Sequence, residues 1–199
     1  MLTHRELAER VLLAYKNPAT IDVGGDARCV VEILEDEIVI AFPGTSDLAG
    51  WLRDFSAWPK ADVNLGLLHE GFADAARRLW SPIYAVLLQE PPGRQITLTG
   101  HSLGGAIAQD LGGLLALHAF LFRVVTFAAP RSAFAANVTL GRLLQNATEA
   151  MAYAHRGDLV PNSPPWPIWK HVVRRTMLGW PDARPIEDHA MSLYLKDLP

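Results

Sequence analysis

The chain has 199 residues, half of them apolar and a fifth charged, with a formal net charge of −3. That balance excludes a disordered chain and fits a folded domain with a full core. Lys and Arg are scattered rather than gathered in a stripe, so no nucleic-acid surface is expected. Cys29 is the single cysteine, which excludes an internal disulfide and a cysteine-based zinc site; within Cys29-Val30-Val31 it reads as a small buried hydrophobe.

In chain order, Thr3 with Glu6 three residues on predicts a capped helix from Thr3 to Tyr15, stopped by Asn17-Pro18. His4, Arg5, Glu6, Glu9 and Arg10 interrupt its leucines, so it lacks the unbroken apolar stretch of a secretory signal, and a cytoplasmic protein is expected as encoded. Two β-rich runs follow, Cys29 to Leu34 and Ile38 to Phe42, with Glu35-Asp36-Glu37 as the turn between them. Glu70 to Gln89 reads as a helix that Pro82 must kink or restart, and Pro91-Pro92-Gly93 ends it.

Ile96 to Thr99 then reads as a strand, Leu103 to about His118 as a helix, and Phe122 to Phe127 as a strand. His118 and Arg123 interrupt the most apolar stretch, Leu111 to Pro130, which argues against a transmembrane segment. Met151 to His155 and His171 to Thr176 are predicted strands; four prolines between Pro161 and Pro167 make the segment between them a loop. Ala190 to Leu195 completes the chain as a short helix. Alternation of strand and helix through the middle predicts an α/β fold with a largely parallel central sheet flanked by helices, as one domain over residues 1–199.

Gly100-His101-Ser102-Leu103-Gly104 matches G-x-S-x-G. At roughly 7% frequency for Gly and Ser, chance gives such a match in about one chain in fifteen of this length. Context supplies the specificity: the motif leaves a predicted strand and opens a predicted helix, as a nucleophile elbow requires. A serine on that sharp turn needs small neighbours, and the helix N-terminus then presents free N–H groups, Leu103 first, to a developing oxyanion. The plain alternative is a glycine-rich turn with an incidental serine.

A serine hydroxyl needs an imidazole base oriented by a carboxylate, and on such a scaffold the chain order is Ser, then acid, then His. Of the histidines after Ser102, His118 falls at the far end of the elbow helix, His171 in or beside a strand, and His155 reads as a structural hydrogen-bonder. His189 follows a loop and is the preferred base. Asp158, directly after the strand Met151 to His155, is the preferred acid, with Asp182 second. The second oxyanion donor is expected from Thr45 in Pro43-Gly44-Thr45-Ser46, unless that segment is an ordinary turn.

Phe42-Pro43-Gly44-Thr45, His69-Glu70-Gly71-Phe72, the Gly100 to Gly105 elbow, Gly157-Asp158-Leu159-Val160-Pro161, and His189 with Tyr194 recur in this order between about Val30 and Leu195. Together they resemble the class 3 (fungal-type) lipase family of the α/β-hydrolase superfamily. The resemblance implies lipase, phospholipase or related esterase activity on an acyl-ester or lipid substrate without a cofactor or metal. It also implies a Ser102–Asp158–His189 triad and an oxyanion hole at Thr45 and Leu103. Pro43 departs from the basic residue common there in fungal members, and the chain is shorter than secreted relatives and without their disulfides.

The family often carries a lid after the oxyanion residue. Leu48, Trp51, Leu52 and Phe55 would form one apolar stripe on a helix, either covering an acyl pocket and touching lipid transiently or packing as ordinary core. Trp58, Trp166 and Trp169 are candidates for a pocket mouth, the surface or the core, and His69 is expected to pack within the fold. Acyl transfer, thioester cleavage by the same triad, or a non-catalytic binding protein are the competing functions.

Overall fold

A computed structural model describes residues 1–45, 58–179 and 187–199. Thr3 caps α1 (His4–Lys16) through the reciprocal pairing with Glu6. The chain then enters β1 (Ile21–Asp22), β2 (Arg28–Ile33) and β3 (Glu37–Phe42). A hairpin, β4 (Pro59–Asp62) and β5 (Gly66–His69), leads into α2 (Glu70–Leu87), which runs through Pro82 without a break rather than restarting there. After β6 (Gln95–His101) come α3 (Leu103–Leu117), β7 (Phe122–Phe127), β8 (Ala133–Phe134) and α4 (Thr139–Leu144). β9 (Glu149–His155), β10 (Trp169–Lys170), β11 (Arg174–Leu178) and α5 (Met191–Asp197) complete the described elements.

The main sheet has the strand order β1-β2-β3-β6-β7-β9-β11. β1, β2 and β3 pair antiparallel, and from β3 to β11 every neighbour is parallel. Side chains alternate between two cores because successive strand residues face opposite sides. Ile38, Ile40 and Phe42 of β3, with Phe122 and Val124 of β7, pack under α2 and α3. Val39, Val125 and Phe127 meet Leu7, Val11 and Tyr194 on the side of α1 and α5. Full burial of each such large side chain contributes about 1.5–3 kcal/mol, so strands buried on both faces read as nearly continuous apolar runs.

Two expectations need correction. Glu37 is not part of a turn: it opens β3, is 1% exposed, and accepts hydrogen bonds from Thr97 Oγ1 (2.5 Å) and Arg123 Nη2 (3.1 Å). A buried carboxylate is tolerated there because this charge partner reaches it from β7. The strand predicted at His171 begins only at Arg174; the His171 ring instead bonds the Pro161 carbonyl at 2.7 Å. A second, antiparallel sheet in the order β10-β8-β5-β4 was not anticipated, because its strands of two to four residues carry no readable period.

Candidate active site

β6 continues two residues beyond its predicted end because its ladder to both neighbours persists, with Phe42 opposite Gly100 and His101 opposite Phe127. Ser102 then turns sharply into α3 with φ 55° and ψ −127°. Positive φ is strained for a non-glycine residue and is held only where surroundings enforce it. They do so here: a side chain at Gly100 would collide with the Gly104 carbonyl, and one at Gly104 with the Phe42 carbonyl. Leu103, the first residue of α3, has one of the orphan amides of that helix start. Gly44, two residues beyond the end of β3, packs so close that a Cβ there would lie 3.0 Å from Ser102 Cβ, which brings the half-buried Thr45 to the same corner.

Asp158 and His189, 31 residues apart, meet. His189 Nδ1 lies 2.9 Å from Asp158 Oδ2, with Asp158 fully buried and His189 6% exposed. Asp158 Oδ1 accepts the Val160 amide at 2.9 Å, and Oδ2 also accepts the Tyr194 hydroxyl at 2.7 Å. Burial and the Asp158 charge push the Tyr194 phenol well above its ordinary pKa, so it is a fixed donor. Both carboxyl oxygens are thus engaged, and the contact of Oδ2 with Nδ1 favours the tautomer of His189 that leaves Nε2 without a proton. Ser102 Oγ is buried and makes no hydrogen bond. Such contacts are often loose before substrate arrives.

Two residues that sequence reasoning passed over join the site. His101, 4% exposed, packs against the His189 ring at a tilt of 39° with centroids 4.5 Å apart, and its Nε2 lies 2.8 Å from the His189 carbonyl oxygen. Its Nδ1 is 2.8 Å from the Tyr15 hydroxyl, which accepts the Gly44 amide at 2.7 Å. Burial, then the neighbouring His189, hold the His101 imidazole well below its ordinary pKa, so it is neutral. Tyr194 had been noticed only through its motif. Tyr15 gave no local signal, since it sits in the last turn of an ordinary amphipathic helix.

The remaining candidates stand apart. His118 caps the opposite end of α3 against Trp80 and Tyr84. His155 bonds Asp197 Oδ2 at 2.8 Å, a structural role as expected. His69 is buried against Phe72 and Trp169, with centroids 4.1 and 5.4 Å away. Trp169 is core, whereas Trp58 and Trp166 are exposed. The stripe Leu48, Trp51, Leu52, Phe55 and the second-choice acid Asp182 lie outside the described residues. Among the described residues no group of three or more His, Cys, Asp or Glu could hold a metal ion, and no helix is long and apolar enough to cross a membrane.

Residues 39–167 match the family model for lipase (class 3), which is more than half of the chain. This chain belongs to the class 3 lipase family. Secreted mono- and diacylglycerol lipase 1 of Fusarium solani is 30% identical over 136 residues, covering 65% of this lipase-family chain and 40% of the relative. A lipase of Rhizomucor miehei is 30% identical over 147 residues, covering 66% and 38%. The chain thus spans about 40% of the length of these relatives. The crystal structure of Yarrowia lipolytica Lip2 lipase is 22% identical and superposes with a TM-score of 0.68, covering 87% of this chain and 68% of that one. The class 3 lipase fold here is the α/β-hydrolase fold, with the largely parallel sheet expected.

Proposed function

We propose that this chain is a serine carboxylic-ester hydrolase that works through an acyl-enzyme on acyl-ester or lipid substrates. The observation that carries the reading is the buried Asp158–His189 pair, joined at 2.9 Å and packed against the residue before an elbow serine. Ser102 Oγ attacks the ester carbonyl carbon while its proton passes to His189 Nε2. The resulting oxyanion is held by the amides of Thr45 and Leu103. As the tetrahedral intermediate collapses, His189 gives its proton to the departing alcohol; water then repeats the sequence on the acyl-enzyme and releases the acid. Asp158 keeps the imidazole oriented and stabilises its charged form.

The names of the two relatives, both lipases, support acylglycerols as the first substrates to test. Purified protein is expected to release p-nitrophenol from short- and medium-chain acyl esters at neutral pH, and Ser102→Ala to abolish the release with its thermal transition intact. Full turnover in that variant would assign the chemistry to another residue. A rise in rate as the substrate concentration crosses the point where an interface forms supports transient contact with a lipid surface; a smooth saturation curve argues for a soluble-ester hydrolase.

A further inference from the structure

A continuous hydrogen-bond chain crosses the site without using any side chain of the Ser–Asp–His set. It runs from the Gly44 amide to Tyr15 Oη (2.7 Å), from Tyr15 Oη to His101 Nδ1 (2.8 Å), and from His101 Nε2 to the His189 carbonyl oxygen (2.8 Å). Its proton order is fixed by chemistry. A carbonyl oxygen only accepts, so His101 Nε2 must carry the hydrogen. A neutral imidazole then offers Nδ1 as an acceptor, so the Tyr15 hydroxyl donates to it. The phenol oxygen retains a lone pair, and the Gly44 N–H donates to that. Each link determines the next.

The ends of this chain are the two parts of the site that must be registered to the nucleophile. Gly44 forms the peptide link to Thr45, the candidate oxyanion donor, and packs on Ser102 Cβ. His189 is the candidate base, borne on a short turn (Glu187–His189) remote in sequence from both. His101 is bonded covalently to Ser102. The sheet alone places β3 beside β6 but does not set the rotation of the peptide at 44–45, and it makes no contact with the backbone of His189 through this ladder.

Resting on the ester-hydrolase reading, we infer that Tyr15 and His101 are positioning residues that hold the oxyanion loop and the base in register with Ser102. His101 must do this without charge, since a cation there would oppose the positive charge that His189 acquires in turnover. Burial and the adjacent His189 keep it neutral. Burial likewise pushes the Tyr15 phenol up to about 12, so its donated proton is retained.

The test combines turnover with a measurement that needs none. Active sites in the 199-residue chain are titrated with a fluorophosphonate, and kcat is expressed per titrated site, so that loss of folded protein does not register. Tyr15→Phe is expected to lower kcat by about 10- to 100-fold, the scale of misplacing or weakening a transition-state contact, with KM within about twofold. ¹⁵N spectra of the wild-type imidazoles are expected to show His101 as the neutral Nε2–H tautomer at pH 7. A protonated His101 or an Nδ1–H tautomer overturns the proposal even if Tyr15→Phe does not fold. An active wild type whose Tyr15→Phe variant keeps its kcat per site overturns the positioning role alone. A wild type that hydrolyses no ester overturns the parent reading and this one with it.

Discussion

Lowering the pH should destabilise this fold through histidines that are buried neutral, and His69 allows the size to be worked out. Its ring is 4% exposed between Phe72 and Trp169, and burial pushes its pKa down to about 4. In the unfolded chain the ordinary value of about 6.5 applies. Above pH 6.5 neither state binds the proton and His69 adds no pH dependence. Below it only the unfolded state binds, so stability falls as pH drops from 6.5 toward 4, then levels off. At pH 5 the unfolded form gains about 2 kcal/mol relative to pH 7.5 from this one site. For a chain of this size that is a fall in Tm of about 4–8 °C.

His171, also pushed down to about 4 by burial and then Arg175, adds a similar amount. The assay is thermal or urea unfolding of wild type and His69→Gln at pH 7.5 and 5.0. The comparison that matters is the loss between the two pH values, not the stability at either. The variant should lose about 2 kcal/mol less than wild type. Equal losses in the two proteins would mean that the His69 ring is protonated in the folded state at pH 5, and the reasoning from burial would be wrong.

Three other substitutions probe separate features. Asp110 on α3 is fully buried, and burial pushes its carboxyl well above the usual range, so the folded state keeps it neutral where the unfolded chain ionises. The Asp110 contribution to stability should therefore fall as pH rises above about 4, by at most about 1.4 kcal/mol per pH unit and against the histidine contribution; in urea unfolding Asp110→Asn should gain stability with rising pH more steeply than wild type, and equal pH dependence in the two would contradict it. Gly104→Ala sets a methyl against the Phe42 and Pro43 carbonyls, so α3 must shift from β3; about 1–3 kcal/mol of stability and most ester turnover should go, as unfolding and p-nitrophenyl ester assays would record. Arg123→Met strands the Glu37 carboxylate and should cost about 3–5 kcal/mol in urea unfolding, whereas Glu37→Leu combined with Arg123→Met should recover most of the loss.

The elbow was legible because its information is local. Glycines two residues either side of Ser102, a strand before and a helix after specify the turn within about ten positions. Asp158 and His189 were legible for a different reason: chain order and strand ends restrict where an acid and a base can stand. Tyr15 and His101 were not, because their bond joins residues 86 positions apart and neither carries a periodic or motif signal of that pairing. Glu37 was misread on the same ground. Beside Glu35 and Asp36 it looks solvated, and the partners that make its burial possible, Thr97 and Arg123, lie 60 and 86 residues away. The small antiparallel sheet escaped notice because it is held by pairings such as Leu68 with Ala133, not by a run long enough to show alternation. Local chemistry can be read from the chain; a partner supplied by the fold cannot.

Mass mapping of the fluorophosphonate adduct tests the central claim most directly. Wild-type protein treated with the probe and digested should carry the phosphonyl mass on Ser102 within the peptide containing Gly100-His101-Ser102-Leu103-Gly104, and Ser102→Ala should carry none. An adduct on a different residue, or a folded wild type that does not react at all, would contradict the assignment of Ser102 as the nucleophile.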